Sequence, residues 1–238
     1  MDDAALIWSY LAQSPLLWLT ATLAAYWVGD AAFRLGRGRS WINPVLIAMA
    51  ILGTVLTLTG TSYATYFEGA QFVHFMLGPA TVALGLPLYD NLSRVRKTLW
   101  PLIAGLLAGS LTAMVSVLVI ARIFGMDAML MASLTPKSTT SPVAIGIAQS
   151  LGGQPTLTAV LVIVTGIVGA ILATPLLNLC RVYDRRARGL ATGTAAHGIG
   201  TARAFQAGET QGIFAGLGMG LNAVVTAILA PLVLALFL

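Results

Sequence analysis

Residues 99–121, LWPLIAGLLAGSLTAMVSVLVIA, run for 23 positions without an ionisable side chain. A helix needs about 20 mostly apolar residues to cross the roughly 30 Å of hydrocarbon in a bilayer. Such a stretch therefore reads as a transmembrane helix, because helices satisfy every backbone polar group internally where water is absent. Four more stretches meet the same test: Pro15–Phe33, Ile42–Gly60, Thr156–Cys180 and Gly212–Leu238. Composition agrees. Of the 238 residues 58% are apolar and only 9% charged, against about 25% charged in soluble domains. A soluble enzyme is excluded, and the expectation is one polytopic all-α membrane domain over residues 1–238.

Three further segments are apolar but interrupted. Phe72–Tyr89 carries Gly78-Pro79, Thr81, Gly85 and Pro87; Ala128–Leu151 carries Thr135-Pro136-Lys137-Ser138-Thr139-Thr140-Ser141-Pro142; Ala191–Phe205 carries His197, Gly198, Gly200 and Arg203. Charge orders these segments. Ten of the 13 Lys and Arg fall in three clusters, Arg34/Arg37/Arg39, Arg94/Arg96/Lys97 and Arg181/Arg185/Arg186/Arg188. Short basic loops stay in the cytoplasm, so loops 34–39, 94–97 and 181–188 are expected on that side of a cell (inner) membrane. Three apolar segments separate the second cluster from the third. If Ala128–Leu151 is re-entrant, the clusters share one side and about six helices cross. A broken but fully spanning helix would read similarly. A weak internal repeat pairs Leu77-Gly78-Pro79 with Leu134-Thr135-Pro136, each ahead of a long apolar helix, and paired Gly/Pro-interrupted segments point to a transporter binding site.

Outside the clusters the basic residues are Arg122, Lys137 and Arg203, and the histidines are His74 and His197. None of the eight acids lies centrally in a clear span. Asp30 precedes Arg34 by four residues, which suits a surface ion pair. Asn43-Pro44 reads as a helix cap and first turn. The five tryptophans sit largely near span boundaries, as in an interfacial belt. The single cysteine, Cys180, excludes an internal disulfide and a thiolate metal cluster, and no metal or cofactor is expected.

Pro136 and Pro142 break a helix through their own geometry and that of the preceding residue. Between them Lys137, Ser138, Thr139, Thr140 and Ser141 offer one cation and four hydroxyls, which suits a small carboxylate. A plain polar turn with a solvated lysine is the alternative, although a surface loop would not need the apolar flanks Met129–Leu134 and Val143–Ala148. His197 and Thr201 lie four apart and share a helix face. Gly198 and Gly200 weaken that helix and would let backbone approach a ligand. Arg203 completes this second group, with a snorkelling arginine and a packed histidine as the bland alternative. Gly78, Pro79 and Thr81 form a third helix break, equally readable as a packing kink.

At these residues the chain closely resembles the LrgB/CidB family of bacterial membrane proteins, including the YohK type. The matching stretches include Asn43-Pro44, Leu77-Gly78-Pro79-Ala80-Thr81, Pro136-Lys137-Ser138 and Ala196-His197-Gly198-Ile199-Gly200-Thr201-Ala202-Arg203. Where the family commonly reads Pro-Lys-Ser-Val-Thr-Thr-Pro, this chain has Thr139 for the valine and Ser141 for a threonine. The resemblance implies one of two functions. One is a holin/antiholin-like regulator of murein hydrolase export and lysis, working with a small LrgA/CidA-type membrane subunit. The other is transport of small monocarboxylates, such as pyruvate in bacteria or glycolate and glycerate in the plastid translocator that fuses both halves. Buried Lys, His, Arg and hydroxyls in broken segments favour transport. The expected partners are the bilayer, a small anion, further copies of the chain and that small subunit; no nucleic acid and no catalytic residue are expected.

Overall fold

The computed structural model describes residues 14–39, 41–76 and 98–238, with Pro79, Tyr89 and Arg96. Among these residues all regular structure is helical. The chain divides by packing into two compact units, Met1–Ala83 and Leu84–Leu238.

The first unit holds α1 (Pro15–Leu35), α2 (Pro44–Thr59) and α3 (Tyr63–Phe75). Helix α2 begins as its sequence dictates: Asn43 Oδ1 accepts from the amides of Val45 at 2.9 Å and Leu46 at 3.2 Å, with Pro44 in the first turn. The surface pair also forms, Arg34 Nε donating to Asp30 at 2.7 Å. Two expectations change. The polar and aromatic stretch before Phe72 is a helix, α3, capped by Ser62 through the Thr65 amide at 3.2 Å. Trp18 is not interfacial: it is 1% exposed and meets the edge of Tyr66 with ring centroids 5.8 Å apart. Trp27, Trp41 and Trp100 are exposed, consistent with lipid or headgroup contact.

In the second unit α4 (Leu99–Ile123), α7 (Pro155–Leu179) and α9 (Glu209–Ala235) are long and apolar enough to cross a bilayer, as is α1 among the described residues. Four of the five clear spans thus appear at full length. The fifth, α2, has 16 residues and rises about 24 Å. The break at Gly78 and Thr81, the first half of the expected repeat, and Arg94 and Lys97 lie outside the described residues; Pro79 is exposed.

Residues 128–151 form α5 (Ala128–Leu134) and α6 (Ser141–Ser150), with Asp127 capping the first through the Leu130 amide at 2.8 Å. The chain then returns on itself. The amide of Gln154 donates to Ser133 Oγ at 2.7 Å, and Thr158 Oγ1 donates to the Ser133 carbonyl at 3.2 Å. From Asp127 to Ser133 a helix rises only about 9 Å. The whole segment therefore advances far less than a bilayer thickness: it is a hairpin, the form the re-entrant reading expects.

Helix α8 (Arg185–Ala207) is a second hairpin. It is broken at Ala196 (φ −124°, ψ 16°) and His197 (φ 40°, ψ −131°). In a straight helix Thr192 and Gly200 would be about 12 Å apart along the axis. Instead Gly200 packs so closely on the Thr192 carbonyl that a β-carbon would lie 2.7 Å from it. At the base, Gly189 rests on Gln211 and Phe205 rests on Gly212, neighbouring positions of α9. The break sits immediately before Gly198, and Gly200, further along the return limb, gives that limb its close approach to Thr192. The basic cluster is not wholly a loop either. Arg185, Arg186 and Arg188 occupy the first turn of α8, capped by Asp184 through the Arg186 amide at 2.8 Å. Arg186 donates to the Asp184 carboxylate at 2.7 Å and holds its pKa down to about 2.

A long helix followed by a re-entrant hairpin thus occurs twice, as α4 with α5–α6 and as α7 with α8. The first hairpin is anchored at the start of α7 through Gln154 and Thr158. The second is anchored at the end of α7, where Arg188 Nη1 donates to Asn178 Oδ1 at 2.8 Å. The hairpins enter from opposite ends of α7, the arrangement of an inverted repeat.

Candidate functional site

The two hairpin tips meet on one side chain of α9. Asn222, 1% exposed, donates through Nδ2 to the Ser138 carbonyl in the first tip and to the Thr194 carbonyl beside the second, both at 3.1 Å. Its Oδ1 accepts from Ser110 Oγ on α4 and from Thr226 Oγ1 at 3.4 Å. Two donated and two accepted bonds fill the capacity of an amide side chain. The two carbonyls require the NH₂ group to face them, which settles the amide orientation.

Around this node the sequence-designated residues take distinct places. Pro136 lies in the turn after α5, and Pro142 in the first turn of α6. Ser138 and Thr139 are buried. Lys137 is half-buried and donates from Nζ to Ser138 Oγ at 3.4 Å. Thr140 is the extended residue that opens α6. The amide end of that ten-residue helix, partially positive and preceded by hydroxyls, favours an anion.

In the second hairpin His197 is 5% exposed, its Nε2 2.9 Å from the Val162 carbonyl on α7 and its ring against Gly166. A β-carbon at Gly166 would lie 2.6 Å from the ring, so the glycine makes room for it. The carbonyl contact requires Nε2 to carry its proton. Thr201, four residues on, donates to the His197 carbonyl at 2.8 Å and caps the distorted turn. Arg203 lies about 9 Å of helix rise beyond His197, half-buried, with Nη1 donating to Gln206 at 3.3 Å. The two bonds from Asn222 therefore bring Ser138 and Thr194 together. Lys137 is tied to the first tip, and His197 to α7.

A cavity of about 470 Å³ runs between α4 and the first limb of α8, from Asp184 and Arg186 at its mouth to Thr194 and Ala195. Its volume suits a small-molecule site, but its walls are mostly apolar and include neither Lys137 nor His197. No group of three or more His, Cys, Asp or Glu side chains converges among the described residues.

Asn222, Ser110 and Thr194 are absent from the sequence reading. Asn222 had a visible signal: an amide in the middle of the otherwise apolar helix α9 must find partners inside protein. Ser110 and Thr194 gave none, since a hydroxyl in a helix can bond its own backbone.

The chain matches the LrgB-like family over residues 22–236. It is 31% identical over 221 residues to "Antiholin-like protein LrgB" of Bacillus mycoides (strain KBAB4), covering 92% of this chain and 96% of the relative. The proteins of the same name from Bacillus cereus (strain B4264) and Bacillus anthracis (strain CDC 684 / NRRL 3495) are each 30% identical over the same shares. No solved structure matches the chain significantly.

Proposed function

This chain belongs to the LrgB-like family of membrane proteins, and on that premise we propose that it transports small monocarboxylates of the 2-oxo or 2-hydroxy class, such as pyruvate or glycolate. The observation that carries this reading is the meeting of two oppositely inserted hairpin tips at Asn222, with polar groups concentrated there. Irregular backbone at membrane depth survives only inside protein or beside a water-filled cavity, and broken helices of this kind form substrate sites at repeat interfaces. Lys137 pairs with the carboxylate, and Ser138, Thr139, Thr140 and the amide end of α6 donate hydrogen bonds. His197, Thr201 and Arg203 supply the facing half, with His197 the candidate for proton coupling. Alternating access then follows from movement of the hairpin-bearing helices.

Proteoliposomes containing the wild-type protein should take up labelled pyruvate or glycolate saturably. Lys137→Ala should lower uptake by about 100-fold, since a charge-assisted pair in a partly dry site contributes roughly 3 kcal/mol. Normal uptake by a folded Lys137→Ala protein sinks the role of this lysine.

Sidedness is part of the proposal: loops 34–39, 94–97 and 181–188 face the cytoplasm. Exposed Cys180, beside the third cluster, offers a direct measurement. A membrane-impermeant maleimide should leave it unlabelled in intact cells and label it after permeabilisation. Labelling of intact cells reverses the orientation.

The relatives' name favours a second reading, an antiholin-like regulator; we propose that in this role it would assemble with a small membrane subunit and with further copies of the chain. That reading expects no saturable uptake, and lysis phenotypes that survive Lys137→Ala.

A further inference from the structure

Two buried hydroxyls next to the Asn222 node have no hydrogen-bond partner: Thr139 Oγ1, on a fully buried residue, and Thr194 Oγ1, on a residue 5% exposed. The side-chain groups that meet Asn222 are used. Asn222 spends both N–H groups on the Ser138 and Thr194 carbonyls, and its oxygen accepts from Ser110 and Thr226. Thr226, Thr201 and Thr135 hydroxyls all donate within the protein. The unused donors thus sit one on each hairpin: Thr139 next to the gripped Ser138, and Thr194 as the gripped residue itself. Helix α9 passes Thr194 with Gly218, where a β-carbon would stand 3.0 Å from the threonine oxygen. A hydroxyl buried beside a glycine and left without an acceptor is costly unless something else supplies one.

We infer that Thr194 is an unassigned ligand-binding residue, donating with Thr139 to one anionic ligand across the two hairpin tips, while Asn222 is the positioning residue that sets their separation. The inference rests on the transport reading and deepens it. The class of ligand follows from the donors. Two free hydroxyls, with Lys137 at one tip and His197 at the other, call for an acceptor-rich anion and not a metal cation. A small carboxylate with an oxygen on its second carbon presents acceptors at two ends, enough for one hydroxyl from each hairpin. A ligand held in this way joins the tips, and its departure frees them to separate.

Thr194→Val and Thr139→Val keep shape and remove the hydroxyl, so melting temperatures with and without ligand test the inference in purified protein. Without ligand each variant should melt at the wild-type temperature or above it, because a group without a partner is lost. With sodium pyruvate or sodium glycolate, read against sodium chloride, the stabilisation seen in the wild type should need about tenfold more ligand or disappear. Thr194→Ser should restore it. A lower ligand-free melting temperature in Thr194→Val means that the protein itself satisfies the hydroxyl, and overturns the inference. An unchanged ligand response in Thr194→Val overturns it while leaving the transport reading intact. If the wild type responds to neither salt and takes up neither acid, the transport reading fails and the inference with it.

Discussion

Asn222→Leu should leave a protein that unfolds well below the wild type and transports nothing. The substitution keeps the branching of the side chain at its γ carbon and removes every hydrogen bond, while the larger methyl groups add some overpacking. It strands the Ser138 and Thr194 carbonyls and the Ser110 hydroxyl together inside the second unit. Each stranded group costs about 1–3 kcal/mol. Single interhelical bonds in membrane proteins average nearer 0.6 kcal/mol, because the unfolded chain in lipid also finds partners. Three stranded groups at one point still place the loss at roughly 3–5 kcal/mol, the range of a broken buried network. Asn222→Asp keeps the acceptor for Ser110 but loses both donors, so it should recover little of the stability. The measurement is an SDS-titration or thermal unfolding curve beside uptake in proteoliposomes. A loss below about 1 kcal/mol for Asn222→Leu would show that the hairpin tips are held by something other than this amide.

Gly193→Ala should be almost as damaging, for a steric reason. Gly193 lies in the first limb of α8, pressed against the backbone of Ala215 in α9, and a β-carbon there would overlap the Ala215 carbonyl. Backbone cannot rotate away as a side chain can, so the limb must shift and take Thr194 out of reach of Asn222. Overpacking of this kind costs about 1–3 kcal/mol, and the lost Asn222 bond adds to it. Gly220→Ala, on α9 with nothing within 4 Å of the new carbon, is the control. It should be neutral or stabilising by up to about 1 kcal/mol through helix propensity. Equal stability of the two variants would mean that α8 and α9 tolerate separation.

The hairpins differ in how far the sequence announces them. Pro136 and Pro142 break the first through local geometry, and the polar run between them marks its tip, so it is legible as a re-entrant candidate. The competing reading of a broken spanning helix is disfavoured by the return of the chain to Ser133, through the bonds from Gln154 and Thr158. The second hairpin turns at Ala196 and His197, neither of which is a helix breaker by type. His197 adopts a positive φ that side-chain-bearing residues avoid, and the carbonyl of Val162 and the space left by Gly166 hold it there. Helix α3 escaped notice because Glu68, Gln71 and His74 interrupt its apolar pattern, although the Ser62 cap was readable.

By itself the sequence determined the solvent, the long helices and the first break. Lipid burial needs only a run of apolar neighbours, and caps and prolines act within a turn of themselves. Tertiary structure alone decided that the interrupted segments are two hairpins entering from opposite ends, and that their tips share Asn222. The bonds responsible join residues 84 and 112 positions apart, Ser138 and Ser110 with Asn222. Asparagine in an apolar helix announces that it must have partners, but the chain between them carries no record of which ones it finds.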